Sequence, residues 1–263
     1  MKKFLLLAMC ILLIIPVVAC SNKDAQTSAK KDESWEHIEK KKKITIGLCA
    51  AYPPFESRNE KSGQIEGFDI DLAKAIGKEI GIEVEIKDAE WQALLGGLNK
   101  GDYDALVTCM SKREAAKENV NMSDIYYVLN DSIVVRDDNN SIKSAKDLKG
   151  SIVGVQIGSG SEQVVDKMQG LKEVKRYNYN PEAFIDLKNK RNDAVVVGYA
   201  YAVNQLKQEK GFRLLDDKLE PADIVVVMRH GEDALTGKIN EGLKKIKENG
   251  TYDKIVKKWL SVN

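Results

Sequence analysis

From Ile44 onward, short apolar segments alternate with amphipathic segments, and this alternation limits the fold more than any other feature of the sequence. Residues 44–48 are typical of a buried strand. The apolar residues from Leu72 to Ile80 recur at the spacing of one helix face, and Asp69 is placed to cap that helix. Alternating strands and helices are typical of an α/β fold with mostly parallel sheets, and the sequence therefore predicts that fold class.

The alternation occurs in two runs, which favours two hydrophobic cores. The first run predicts strands at 44–48, 82–86 and 103–109 and helices at 69–80 and 91–100. The second run predicts strands at 151–156, 173–178 and 193–197 and helices near 161–169, 181–190 and 200–209. A strand at 224–228 and two helices, near 232–248 and 251–260, are expected to close the chain.

The first twenty residues have the features of an export signal. Lys2 and Lys3 precede an apolar stretch that ends in the sequence VVA directly before Cys20. This order resembles the lipobox of bacterial lipoproteins, which implies that residues 1–19 are a lipoprotein signal peptide and that Cys20 becomes the lipidated first residue. A plain secretory peptide or one transmembrane helix is the alternative, but the apolar run is at the short end for spanning a bilayer.

The charge of the mature chain gives no reason to expect a nucleic acid partner. The whole sequence has 41 Lys and Arg against 40 Asp and Glu, and removal of residues 1–19 takes away only Lys2 and Lys3. The mature net charge is therefore about −1. Residues 21–34 contain no large apolar side chain, so we expect residues 20–43 to be a solvated, lipid-anchored tether.

Several short motifs occur in an order and spacing typical of one protein family. They include YPPF at 52–55, GFDIDLA at 67–73, GDYDA at 101–105, SDIYY at 123–127 and NGTY at 249–252. With these motifs the sequence resembles the family 3 extracellular solute-binding proteins, the receptors of polar amino acid ABC importers. The resemblance covers about residues 44–261.

The resemblance implies a two-lobed, periplasmic-binding-protein-like α/β fold of type II. Lobe 1 would comprise residues 44–130 and 228–263, and lobe 2 would comprise residues 131–227. Two hinge-crossing strands, near 128–135 and 220–230, would join the lobes. A ligand would bind in the cleft between them and be buried when the lobes close.

The family also implies positions for cleft residues in lobe 1. Tyr52 and Trp91 match its aromatic walls, which can contact a ligand side chain or a cation. Thr108 and Ser111 are candidate hydrogen-bonding groups at the end of the strand predicted at 103–109. Phe55 is equally compatible with the cleft and with the core.

In lobe 2, Gly158, Ser159, Gly160 and Ser161 join a predicted strand to a helix start. The free backbone N–H groups of such a loop suit a carboxylate or carbonyl oxygen. The segment is a poor dinucleotide fingerprint, because Gln163 stands where the third glycine would be.

Two positions depart from the family pattern. Counting from Met110 to the Ser123-Asp124 motif, the family's arginine for the ligand α-carboxylate falls at Ala116, and a methyl group cannot make a bidentate carboxylate contact. Arg113 could reach the site from the same helix start, or it is a surface charge. The aspartate that meets the α-ammonium falls at Gly198 or Tyr199, and neither is charged.

Loss of both ends of this clamp argues against a standard α-amino acid held in the usual way. Burial of an unpaired charged group would cost several kcal/mol, a large part of the roughly 8 kcal/mol of a micromolar complex. We expect a ligand that is modified, less charged or differently oriented, such as a small organic solute with an aromatic or cationic face. Tyr199 would add aromatic surface.

Cys49 and Cys109 end two strands that we expect to be neighbours, so both are predicted at the cleft floor, among the ligand-binding residues. An exported protein permits a disulfide between them, but neighbouring strand ends do not guarantee the required Cα separation, so a disulfide and two free buried thiols both stay open. A metal site is not expected, because the two histidines, His37 and His230, lie apart from any cluster. No cofactor is expected either.

The sequence thus predicts a binding protein and not an enzyme, located on the extracellular face of a bacterial cell membrane. Its partners would be a small amino-acid-like ligand, an ABC permease and the bilayer, which it would contact through acylated Cys20, and it would be a monomer. One alternative is an enzyme that resembles cyclohexadienyl dehydratases, with Glu56, Glu90 or Glu162 as general acid. A sensory lipoprotein is the other.

Overall fold

The computed structural model describes residues 31–261, and the elements of its first half follow the predicted order. They are α1 (Ser34–Lys41), β1 (Lys43–Leu48), β2 (Ala51–Tyr52), β3 (Glu56–Arg58), β4 (Ile65–Glu66), α2 (Phe68–Glu79), β5 (Glu83–Asp88), a 3-10 turn (Trp91–Ala93), α3 (Leu94–Lys100), β6 (Ala105–Leu106), α4 (Lys112–Ala115) and β7 (Val120–Met122). The expected signal peptide (1–19), Cys20 and residues 21–30 lie outside the described residues.

The second half continues the alternation of strands and helices. Its elements are β8 (Tyr127–Arg136), a 3-10 turn (Ala145–Leu148), β9 (Ile152–Gln156), α5 (Gly160–Val165), β10 (Glu173–Tyr177), α6 (Asn180–Lys188), β11 (Ala194–Gly198), α7 (Tyr199–Gln208), β12 (Phe212–Leu214), β13 (Pro221–Ile224), β14 (Val227–Arg229), α8 (Asp233–Glu248) and α9 (Thr251–Trp259).

Two sheets define two lobes. The sheet of lobe 1 has the order β5-β1-β6-β14-β7, with β1 parallel to β5 and β6, and β14 antiparallel to β6 and β7. The sheet of lobe 2 has the order β10-β9-β11-β8-β12, and β13 also pairs with β8. β9 is parallel to β10 and β11, whereas β8 runs antiparallel to its neighbours. A small antiparallel sheet, β2-β3-β4, completes lobe 1.

Each large sheet is covered on both faces, which explains the continuous apolar strands. In lobe 1, one face packs against α2 and α8, as at Ile76 and Leu243, and the other packs against α3, as at Leu98. In lobe 2, all five residues of β11 are buried. Strands that are buried on both faces have apolar residues at successive positions instead of alternating apolar and polar residues. Each lobe has its own core.

The chain crosses between the lobes twice, first along β8 and then along the segment that contains β13 and β14. β8 and β13 pair antiparallel from Tyr127 with Ile224 to Asn130 with Pro221. The predicted two-lobed fold with two hinge-crossing strands is confirmed.

Two predicted strands are wrong in extent. The strand predicted at 103–109 is reduced to β6, because the chain turns after Leu106 and Cys109 has a φ of +48°. The strand predicted at 224–228 is divided into β13 and β14. Ile224 pairs with β8 of lobe 2, whereas Val227 pairs with β6 and β7 of lobe 1, so the chain changes sheets between these residues.

Residues 34–41 lie inside the range expected to be a tether, but they form α1. Ile38 of this helix is 1% exposed and Trp35 packs against the lobe 1 core. Burial of a side chain of this size contributes about 2 kcal/mol, so this part of the expected tether belongs to the folded lobe. Within residues 31–261, no helix combines the length and apolarity needed to cross a bilayer.

Candidate functional site

A cavity of about 580 Å³, including the part that opens to solvent, lies between the two lobes. Its lobe 1 wall includes Tyr52, Glu56, Trp91, Thr108, Cys109 and Glu114. Its lobe 2 wall includes Asp131, Gln156, Ser159, Gly160, Ser161 and Asn180. A cavity of this size, lined from both sides by convergent polar groups, suits a small molecule.

Below the lobe 1 wall, two buried acids share one proton. Glu56 is 1% exposed and Asp69 is 0% exposed, and their carboxyl groups are hydrogen-bonded to each other. Burial, and then the charge of Asp69, raises the pKa of Glu56 well above its usual range, so Glu56 carries the proton. We place it between Glu56 Oε2 and Asp69 Oδ1, the two oxygens of the pair that have no other hydrogen-bond partner among residues 31–261. The pair therefore has one negative charge.

Gly67 allows these two acids to approach each other. A Cβ atom on Gly67 would lie 2.1 Å from the carbonyl oxygen of Phe55, and the φ of Gly67 is +145°. The same carbonyl oxygen accepts a hydrogen bond of 2.9 Å from the N–H of Asp69. Only glycine fits this contact between the start of α2 and the segment that leads into β3.

Asp69 also fixes the backbone of the cleft floor. Its Oδ2 accepts a hydrogen bond of 2.5 Å from the N–H of Cys109, and Tyr126 donates its hydroxyl to the same carboxylate. These bonds hold Cys109 in a left-handed conformation, which costs an L-residue about 1 kcal/mol or more. Burial raises the pKa of Asp69 to about 6, although the hydrogen bonds from Glu56, Tyr126 and Cys109 oppose this shift.

Glu114, on the lobe 1 wall, bridges the two lobes. Ser111 caps α4, and its N–H donates to Glu114 Oε2 at 2.6 Å in a capping box. The other oxygen, Oε1, accepts a hydrogen bond of 2.5 Å from the N–H of Gly160 in lobe 2. Burial raises the pKa of Glu114, and the bonds from Ser111 and Gly160 oppose the shift. Because both oxygens accept from N–H groups, the arrangement suits the ionised carboxylate.

Asp131 lies on the lobe 2 side of the cavity, on β8. It is 6% exposed, and its Oδ1 accepts a hydrogen bond of 2.6 Å from the Ser161 hydroxyl. Burial raises the pKa of Asp131, whereas the Ser161 bond and the charge of Arg113 lower it. Asp131 also raises the pKa of Glu114, so the two carboxylates interact. In the pairing of β8 with β11, Asp131 stands directly opposite Gly198.

Tyr52 closes the cavity on the side of β11. Its hydroxyl oxygen accepts a hydrogen bond of 3.2 Å from the N–H of Gly198, and its ring stacks on Tyr201 with centroids 4.8 Å apart. A Cβ atom on Gly198 would lie 2.3 Å from this hydroxyl. While Tyr52 occupies this place, no side chain fits at position 198.

Comparison with known proteins identifies the family. The profile of the bacterial extracellular solute-binding proteins, family 3, matches residues 44–262. The chain belongs to this family.

Relatives and solved structures of the family agree in fold over most of the chain. The arginine-binding extracellular protein ArtP of Bacillus subtilis is 33% identical over 99% of both chains. An ancestral arginine-binding protein bound to arginine is 40% identical, with a TM-score of 0.79 over 83% of this chain and 98% of its own. The ancestral amino acid-binding protein AncCDT-1, described as a precursor of cyclohexadienyl dehydratase, is 33% identical, with a TM-score of 0.79 over 86% and 99%.

These relatives are binding proteins, and this family 3 member is a solute-binding protein and not an enzyme. The acids considered for catalysis have other contacts. Glu56 donates its proton to Asp69, and Glu162 forms an ion pair of 2.5 Å with Arg176. Glu90 is not in the lining of the cavity.

The structure brings most of the predicted ligand-binding residues to the family cleft. The lining includes eight of them: Cys49, Tyr52, Trp91, Thr108, Cys109, Ser159, Gly160 and Ser161. Some of their polar groups are already bonded within the protein. The Thr108 hydroxyl, for example, donates to Glu56 at 2.8 Å and accepts from the N–H of Cys49 at 3.1 Å.

Three predicted residues lie outside the lining. Ser111 caps α4 behind the wall. Arg113 forms an ion pair of 2.7 Å with Glu220, and its Nε and Nη2 atoms are buried without a hydrogen-bond partner among residues 31–261. Tyr199 is 44% exposed and borders a separate groove with Trp259. Phe55, for which cleft and core were both open, is 0% exposed in the core.

Cys49 and Cys109 are both free, buried thiols. The strands that precede them are neighbours, as expected, since Gly47 of β1 pairs with Leu106 of β6. Burial, and then the charge of Asp88, raises the pKa of Cys49 to about 11. Burial also raises the pKa of Cys109 well above its usual range, so both thiols are weak nucleophiles.

Sequence reasoning missed the two cavity carboxylates that the lobes bring together. Ala116, at the position counted for the family arginine, is the exposed C-cap of α4, and the side chain of α4 that reaches the cavity is Glu114. The capping-box spacing from Ser111 to Glu114 could have shown where α4 begins. No local signal marks Asp131, because its role depends on the pairing of β8 with β11.

Proposed function

We propose that the protein is the lipid-anchored receptor of an amino-acid-type ABC importer on the extracellular face of a bacterial cell membrane. As a monomer, it binds a small polar solute, an amino acid or a related molecule, and delivers it to the permease. The observation that carries this proposal is the cavity lined by both lobes, next to the two crossing strands. Rotation about such strands opens and closes a cleft.

Contacts across the cleft support closure as part of the binding cycle. Besides the bridge from Gly160 to Glu114, Lys117 Nζ donates to the carbonyl of Gly158 at 3.0 Å, and Gln92 donates to Asn178 at 3.2 Å. Each of these bonds joins lobe 1 to lobe 2. A ligand that adds further contacts across the cleft would shift the protein towards this closed form.

The composition of the cavity supports a ligand that is not held as a standard α-amino acid. Among residues 31–261, no Lys or Arg lines the cavity, so a ligand α-carboxylate would meet no guanidinium from this part of the chain. Position 198 has no side chain to meet an α-ammonium.

The test of this proposal is mass spectrometry of small molecules released from the full chain, purified from its native membrane without denaturation. We expect a single small solute at close to one molecule per protein. Calorimetry with the twenty amino acids is the second measurement. Tight binding of an ordinary amino acid would contradict the non-standard ligand, and the absence of any bound or binding solute would contradict the receptor function.

Lipid anchoring rests on the VVA-Cys20 sequence and is tested separately. We expect the wild-type chain to sediment with membranes and to incorporate an alkyne-labelled palmitate. Cys20→Ser removes the acylated thiol, and the chain should then appear in the medium or as uncleaved precursor without label, because a membrane-bound chain of this kind needs its acyl groups. Unchanged labelling of the variant would exclude Cys20 as the site.

A further inference from the structure

The carboxylate of Glu114 occupies the polar contacts that a ligand carboxylate would need at this end of the cleft. Glu114 accepts from Ser111 N–H in lobe 1 at 2.6 Å and from Gly160 N–H in lobe 2 at 2.5 Å. The Glu114 residue is 7% exposed, so little water reaches it. A ligand carboxylate could bond to Gly160 only after it displaced a charged group of the protein itself.

The cavity also has the wrong charge for an anion. Glu56, Glu114 and Asp131 are in its lining, to which the described part of the chain, residues 31–261, contributes no Lys, Arg or His. Glu56 is neutral because its proton is shared with Asp69. Glu114 and Asp131 remain as two interacting carboxylates, one on each lobe. Like charges at such a site repel a further anion and attract a cation.

Arg113 lies outside the lining of the cavity, and its buried Nε and Nη2 atoms have no hydrogen-bond partner among residues 31–261. Its Nη1 is 2.7 Å from Glu220 Oε2, and its charge acts on Asp131 from outside the lining. A bound metal ion does not fit the carboxylates either. Among residues 31–261, no three His, Cys, Asp or Glu side chains are placed so that they could hold one.

We propose that the ligand is a small organic amine, protonated and without a carboxylate, which binds between Glu114 and Asp131. This inference rests on the proposed receptor function and names its substrate class. The lobe 2 carboxylate pairs with the cation, and Glu114 completes the contact from lobe 1. Trp91 and Tyr52, in the same lining, add aromatic surface, which also favours a cation. The amine thus draws the two lobes together.

Matched pairs of ligands test the proposal. Arginine and agmatine, ornithine and putrescine, and tyrosine and tyramine each differ by one carboxylate. Isothermal titration calorimetry of the full chain in detergent measures both members of each pair. We expect at least one amine to bind at least about tenfold more tightly than its parent amino acid, since the parent adds an anion to a negatively charged cavity.

Variants of Glu114 test the mechanism. Glu114→Ala removes the carboxylate and frees the N–H of Gly160, so it should weaken amine binding by about tenfold or more and strengthen binding of the parent amino acid. Glu118→Gln is the matched control, because Glu118 is an exposed acid four residues further along the chain. The control should change the ratio of the two affinities by less than about twofold.

The outcomes separate this inference from the receptor function. If amino acids bind as tightly as their amines, or if no amine binds, the inference is wrong while solute binding stands. If amines bind but Glu114→Ala leaves the affinity ratio unchanged in a protein with a wild-type unfolding curve, the role of Glu114 is wrong. If neither the probes nor any co-purified solute is bound, the receptor function fails as well.

Discussion

Two pairs of buried acids lie at or directly behind the walls of the cleft, and they differ in how their charge is balanced. Glu56 and Asp69 both belong to lobe 1, share one proton and bond to neighbours of the same lobe. Glu114 and Asp131 belong to different lobes, and their hydrogen bonds come from Ser111, Gly160 and Ser161. The shared proton balances the first pair without a ligand, whereas the second pair has two negative charges that face one cavity.

This difference separates a structural role from a binding role. Burial of two carboxylates side by side is costly unless a proton or a cation is shared between them. In lobe 1 the proton of Glu56 supplies this compensation. Across the cleft, the charge of Arg113 acts on Asp131 from outside the lining, and a cationic ligand would supply the further compensation and join the lobes. We therefore expect substitutions in the first pair to change stability and substitutions in the second pair to change binding.

The largest expected effect is the loss of stability in Asp69→Ala. This variant leaves the Tyr126 hydroxyl and the Glu56 proton without an acceptor, and it leaves the Cys109 N–H only its bond of 3.1 Å to the Tyr126 oxygen. The free energy of unfolding should therefore fall by about 3–5 kcal/mol. Asp131→Ala is the matched control and should lose about 1 kcal/mol, because its removal also relieves repulsion with Glu114. Urea unfolding of both variants measures the difference. Equal losses would contradict the distinction between the two pairs.

The second prediction concerns the pH dependence of stability. The pKa of Glu56 in the folded protein lies well above its usual value of 4.5. Glu56 therefore stabilises the fold fully below pH 4.5, and this stabilisation is lost as the pH rises towards the folded pKa. Glu56→Gln keeps a donor to Asp69 and an acceptor for Thr108 but binds no proton. Above about pH 5, wild type should therefore lose about 1.4 kcal/mol per pH unit relative to this variant.

Urea unfolding at pH 5, 6 and 7 measures this slope. The difference between the two proteins cancels the titration of acids elsewhere in the chain, and above about pH 6, the pKa of Asp69, it isolates the titration of Glu56. Glu118→Gln again serves as control and should differ from wild type by a nearly constant amount. If wild type and Glu56→Gln gave parallel curves, Glu56 would not carry the proton of the pair.

The α/β fold class and its two cores could be predicted from the alternation of strands and helices, whereas the two-lobed type II architecture was implied by the family resemblance. The helix expected at 69–80 is α2, and the strand expected at 193–197 is β11, displaced by one residue. The wrong extents occur where the chain leaves a sheet, as at 224–228. There, the choice between two sheets is made by distant strands, which leave no periodic signal in the segment itself.

The cleft was predictable in position but not in chemistry. Motifs placed Tyr52 and Trp91 in the lining, and their wall role stays a prediction. For the position of the family arginine, counting along the sequence led to Ala116, because the spacing to Ser123 does not show where α4 begins. Asp131 became a cavity residue only through its pairing opposite Gly198, which is a contact between distant segments.

The smallest expected effect is at Thr108, which joins the lobe 1 pair to the cleft floor. Its hydroxyl donates to Glu56 and accepts from the N–H of Cys49. Thr108→Val keeps the shape but removes both bonds, so it should lower the free energy of unfolding by about 1–2 kcal/mol, and Thr108→Ser, which keeps the hydroxyl, should lose less. Ligand affinity should change little in either variant, because the Thr108 hydroxyl already donates one hydrogen bond and accepts another within lobe 1. A loss of affinity in Thr108→Val that Thr108→Ser restores would instead assign the hydroxyl to the ligand and weaken the separation between the two pairs.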